Sequence, residues 1–144
     1  MTKQRQALRI LLALAWVFGI LVPMYSFRRF SAEYQAAFDW VFHTHTSHVL
    51  MHTFLYAVLG CLLCSLLSKP EWSSGRLLVW VLAGVGSVAG FQEAIQMNCE
   101  HVSFGGDEIF DLIVDLNAGL LGTMLFVLVS RRRAKSKPKE SIFC

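Results

Sequence analysis

His48, His52 and Tyr56 recur at intervals of four residues, and Gly60 continues the same line. Positions i, i+4 and i+8 share one face of an α-helix, so this stripe aligns two imidazoles and a phenol. Glu93 and Gln96 stand three apart, Asp111 and Asp115 four apart, and Asn117 follows close behind. Imidazoles beside carboxylates can pass protons at neutral pH. The same groups suit a metal: His48 and His52 on one helical face, with an Asp or Glu, offer three or four ligands to zinc. His43 and His45 extend the string upstream, but beside Trp40 and Phe42 they are expected as solvated residues at an interface. The general base of an H-E-x-x-H metal site is missing. A divalent metal is thus one reading of the cluster, and its occupancy stays open.

These groups must be positioned by elements that the composition identifies. The 144 residues are 55% hydrophobic and 16% charged, against about 45–50% and about 25% in soluble domains. The apolar excess lies in four blocks, at about 8–25, 49–67, 77–96 and 109–129. Each is long enough, at roughly 20 residues, to cross the hydrocarbon of a bilayer as a helix. The expected fold class is therefore all-α: an integral membrane protein with four transmembrane helices in one small bundle at 1–130, then a basic tail at 131–144. The first block has the basic flank of a signal peptide, yet no small-x-small cleavage site follows it, so a retained anchor is expected, with Pro23 near its end.

Lys and Arg set the orientation. Eleven fall at the amino end, between the second and third blocks and in the tail; only Arg28 and Arg29 fall elsewhere. This asymmetry predicts a multi-pass protein of the cell membrane with both termini in the cytoplasm. His48, His52, Tyr56, Glu93, Gln96, Asp111 and Asp115 then converge on the outer half of the bilayer, with Asp115 roughly 9 Å inside its helix at about 1.5 Å per residue. A charge facing lipid is unfavourable by about 2.5–3.5 kcal/mol at a helix centre, so these groups are expected to turn inward. Gly86 and Gly90 on the third span, and Gly119 and Gly122 on the fourth, supply small faces for close packing. Several carboxylates in one low-dielectric site call for a shared proton, a protonated His or a cation.

Other patterns narrow the function. A net charge of +3 is too small for a nucleic-acid partner. No G-x-S-x-G turn, P-loop or dinucleotide fingerprint occurs, and no arginine set near the cluster could grip phosphate. Cys61 and Cys64 form C-x-x-C within an apolar run, where buried thiols act as small hydrophobes. The basic tail suits a stop-transfer end that can also lie on anionic lipid.

The ordered set His52-Thr53-Phe54-Leu55-Tyr56, Glu93-Ala94-Ile95-Gln96, and Asp111 with Asp115 before Gly122 resembles the VanZ-like membrane family over roughly residues 48 to 125. Two basic positions depart from that pattern. The family often has Asp-Lys shortly before its His, where His48-Val49 stands here, and an Arg ahead of the acid pair, whereas 99–107 holds none. The site is more acidic as a result, which favours a cation or a protonated His over an anion. The resemblance implies a link to resistance to teicoplanin-type lipoglycopeptides.

On this reading the protein binds or modifies an envelope lipid or glycan headgroup. Glu93 and Asp115 form the charged centre, His52 with Asp111 joins the acid/base or ligand set, and Tyr56, Gln96 and Asn117 bind and orient. Whether this is enzymatic is undecided. The alternative is a non-catalytic membrane assembly partner whose polar cluster only fixes helix packing. A cation-coupled carrier is disfavoured by the lack of an inverted repeat. Membrane lipids are the expected surroundings.

Overall fold

A computed structural model of the chain describes residues 3–22, 31–41, 43–69, 71–101 and 103–135. Its elements are α1 (Lys3–Leu21), α2 (Ala32–Val41), α3 (His45–Leu67), α4 (Ser74–Glu100) and α5 (Gly106–Lys135). All are helices. Four of them, α1, α3, α4 and α5, are long and apolar enough to cross a membrane, as the four hydropathic blocks predict.

Their limits differ from the predicted ones for local reasons. At the start of α3, the Thr44 side chain accepts the Ser47 amide, satisfying one of the orphan N–H groups of a first turn. Ser73 does the same for Arg76 at the start of α4, which runs on to a left-handed cap at His101 (φ 56°). Before α5, the Gly105 amide donates to Glu108 Oε2 at 2.7 Å, and Asp107 and Glu108 favour the positive end of the helix dipole. The helix thus begins at Gly106, three residues before the predicted start. Asp115 is accordingly about 13 Å along it rather than 9 Å. At the other end, α5 continues through Arg131 and Arg132, so the predicted boundary at residue 130 falls inside a helix. Lys137 and Lys139 lie outside the described residues, as does Pro23 of the first block.

The segment before α3 carries one element that span hydropathy does not reveal. The ten residues of α2 are too few to cross a bilayer, and they leave Trp40 78% exposed.

Ile20 of α1, Tyr56, Leu59 and Cys64 of α3, Leu77, Val81, Val85 and Ala89 of α4, and Ala118 of α5 make the core. The most extensive packing is between α3 and α5, and it is built on absent side chains. A Cβ at Gly60 would lie 2.5 Å from the Gly119 carbonyl oxygen, and one at Gly122 would overlap the Ala57 carbonyl oxygen. Val85 fills the space over Gly119, whose Cβ would meet both Val85 methyls at 2.9 Å. The predicted small face of α4 is not used in this way: Gly90 has nothing within 4 Å, and Gly86 meets only Leu116, at 3.5 Å. On the far side of α3, the Trp16 indole donates to the Leu55 carbonyl oxygen at 2.9 Å, and Arg9 donates to the Ser65 carbonyl oxygen at 3.2 Å. These contacts dock α1. Leu8, Leu11, Leu14 and Phe18 of α1 are exposed, as expected of a face turned to lipid.

Candidate functional site

The predicted stripe on α3 is real in space. His52, Tyr56 and Gly60 are all buried, and the imidazoles of His48 and His52 lie with centroids 4.4 Å apart. The Tyr56 ring continues the stack, 6.2 Å from His52.

Two rungs join this stripe to α5. His48 Nε2 donates to Asp111 Oδ2 at 3.1 Å, and His52 Nδ1 donates to Asp115 Oδ1 at 2.8 Å; both pairs are 63 positions apart. An equal offset at two successive turns means that α3 and α5 run in the same direction, in register. The rungs differ in setting. The His48 side chain is 38% exposed and that of Asp111 16%, whereas those of His52 and Asp115 are 6% and 0% exposed. An ion pair in the open contributes about 0–1 kcal/mol. An acid as deep as Asp115 is tolerated only with partners, because a charge stripped of water must be compensated.

From α4 come Gln92 and Glu93, both buried. The Tyr56 hydroxyl donates to Gln92 Oε1 at 2.7 Å. Gln92 is a site residue that the E-x-x-Q spacing does not single out, since that spacing points to Gln96, one turn further on. Since α4 runs against α3, a residue deeper on α3 meets a lower number on α4. Tyr56 lies one turn below His52, so its partner on α4 precedes Glu93.

Above the rungs, a cavity of about 810 Å³ opens between the starts of α3 and α5 and the end of α4. Glu93, Gln96, His48, Asp111, Asp107 and Glu108 line it, with no Lys or Arg among its described lining residues. Glu93 Oε1 and Asp115 Oδ2 are buried without a hydrogen-bond partner among the described residues. Such orphans are rare, because each forfeits its hydration for nothing in return.

The structure therefore gathers His52, Tyr56, Glu93, Gln96, Asp111 and Asp115 at one end of the bundle. Asn117 stands apart: it is exposed, and its side-chain amide donates to the Ile113 carbonyl oxygen of its own helix at 2.7 Å. It lines a small apolar groove with Val49, Thr53 and Leu121 instead. His43 is exposed with Nδ1 2.7 Å from the Trp40 carbonyl oxygen, as expected of an interfacial residue. His45, also exposed, joins the cavity wall beside the Phe110 ring. At the other end of α3, Cys61 and Cys64 are free thiols; Cys61 Sγ donates to the Gly122 carbonyl oxygen at 3.1 Å, adding to the α3–α5 contact. Compared with known proteins, the chain matches no family model, no curated protein and no solved structure.

Proposed function

We propose that this chain is a VanZ-like multi-pass protein of the cell membrane, with both termini in the cytoplasm, whose polar cavity faces the exterior and engages an envelope lipid or glycan headgroup. The observation that carries the reading is Glu93, which lines a cavity wide enough for a headgroup and whose buried Oε1 has no hydrogen-bond partner among the described residues. A cluster serving only to hold helices together gains by satisfying all its polar atoms. A carboxylate with an unused acceptor beside such a cavity suits a ligand that donates to it once the side chain turns outward, such as a sugar hydroxyl or an ammonium group. In this scheme Gln96 and Asp111 line the approach, while His52, oriented by Asp115, is the group able to move a proton. Tyr56 and Gln92 hold the floor.

The envelope role is tested in cells. Expression in a teicoplanin-susceptible host is expected to raise survival on teicoplanin, and Glu93→Gln and Asp115→Asn are expected to abolish the gain at equal membrane abundance. Full survival with both variants would refute the reading. A second reading, in which the cluster only fixes helix register, is favoured by the shared offset of the two His–Asp rungs. It predicts that the same variants lose abundance before they lose effect.

A further inference from the structure

We infer that His48, His52 and Asp111 form a binding site for one divalent transition-metal ion of the zinc class, with Asp115 as the positioning residue for His52. The inference deepens the reading of this cluster as a functional site and rests on it, but not on any headgroup chemistry.

The three side chains each offer one ligand atom, and these atoms all lie within 4.8 Å of one another. Ligands about 2.1 Å from a tetrahedral ion are about 3.4 Å apart, so the set closes by at most about 1.4 Å when the ion binds, and the proton between His48 and Asp111 is released to solvent. The donor types are those that zinc prefers: two imidazole nitrogens and a carboxylate oxygen. Three protein ligands also leave a fourth position for water or substrate, which is the arrangement of catalytic rather than structural sites. Here that position would open towards the cavity that His48 and Asp111 line.

The surroundings supply what a ligand set alone does not. A metal-bound imidazole is usually fixed by a hydrogen bond from its other nitrogen to a carboxylate. His52 has this bond: its Nδ1 donates to the fully buried Asp115 at 2.8 Å, leaving Nε2 as the ligand nitrogen. Glu93 supplies an independent sign of a missing partner. Its side chain is 4% exposed, it lines the same cavity, and its Oε1 has no partner among the described residues. Asp111, Asp115 and Glu93 together hold three carboxylates, and the cavity presents no Lys or Arg among its described residues to offset them. Protonated His48 and His52 could offset part of this charge, whereas a doubly charged cation offsets it while leaving both imidazoles neutral and free to ligate.

The test is a Co²⁺ titration of the purified full-length protein in lipid nanodiscs, followed by Zn²⁺ displacement. The expected result is one Co²⁺ per chain with visible d–d absorption, displaced by Zn²⁺. His48→Gln and Asp111→Asn should each weaken binding at least about tenfold, and Asp115→Asn by about 10–100-fold. His43→Gln with His101→Gln should leave binding unchanged. No saturable binding, affinity unaltered in His48→Gln and Asp111→Asn, or thiolate-to-cobalt absorption from Cys61 and Cys64 would each overturn the inference. X-ray absorption on the zinc-loaded wild type needs no variant to fold: two imidazoles per zinc support the site, and none refutes it. Absence of metal with teicoplanin survival still dependent on Glu93 would overturn the inference alone; metal bound by a protein with no effect in cells would overturn the envelope reading alone.

Discussion

His52 and Asp115 are 63 positions apart in the chain and 2.8 Å apart in space, and among the described residues they form the most buried polar pair joining two helices. The pair His48–Asp111, one turn above, repeats the geometry with both side chains partly open to the cavity. One relationship thus occurs twice, once where it is costly to break and once where it is cheap.

That contrast gives the first prediction. Removing His52 strands the carboxyl group of Asp115, and breaking a buried pair from one side costs on the order of 3 kcal/mol. Removing His48 should cost about 0–1 kcal/mol, as for an exposed pair. His52→Ala is expected to melt well below His48→Ala in the same detergent. Equal melting temperatures would show that burial does not separate the two rungs.

The second prediction concerns glycines. Gly122→Ala places a methyl group against the Ala57 backbone, and overpacking of this kind costs about 1–3 kcal/mol. Gly90→Ala meets nothing within 4 Å, and the gain in helix propensity is up to about 1 kcal/mol. Melting curves of the two variants should therefore move in opposite directions. A loss of stability in Gly90→Ala would mean that this face has a partner in the membrane.

The third prediction follows from Tyr56 and Gln92. Tyr56→Phe deletes the donor to Gln92 Oε1, and an orphaned buried acceptor costs about 1–3 kcal/mol. Tyr56→Phe combined with Gln92→Leu should recover part of that loss, because both partners are then apolar. If the double variant is no better than the sum of the singles, the hydrogen bond is not what stabilises this layer.

Orientation is tested by reporter fusions. Alkaline phosphatase joined after Ser103 is expected to be active, since that loop lies outside in the proposed topology, and inactive after Lys69. A fluorescent protein that folds only in the cytoplasm should give the opposite pattern. Activity at Lys69 would invert the proposed topology.

The sequence made the four spans legible because an apolar run of about 20 residues has few other uses. It also showed His52 and Tyr56 as one stripe, and Glu93, Asp111 and Asp115 as groups needing an interior. What it hid was the pairing. Gly119 and Gly122 pack closely as their spacing predicts, but spacing cannot tell which face of a helix meets a neighbour: their partners are Gly60 and Ala57 of α3 with Val85 of α4, not Gly86 and Gly90. Gln92 was hidden by its neighbour Glu93, which drew the E-x-x-Q spacing toward Gln96. Asn117 looked like part of the acid cluster because it is two residues from Asp115, yet two residues on a helix amount to a half-turn to another face.

The offset that aligns the rungs also sets an order of events during synthesis. At about 5–20 residues per second, 63 residues take about 3 to 13 s to translate. Through that interval His48 and His52 are inserted while the acids that accept their protons do not yet exist. Tyr56 waits for less chain, since Gln92 follows it by 36 positions. A hairpin of α3 and α4 is therefore expected to close first, with α5 arriving as the last stave and carrying both acids into a groove already formed. A chain truncated after Glu100 and released into the membrane should already show cross-linking from a photoreactive group at Leu63 to Gly84, the residue whose Cβ would lie 3.0 Å from Leu63 Cδ1. Cross-linking that appears only once α5 has been made would place the bundle's assembly after translation is complete.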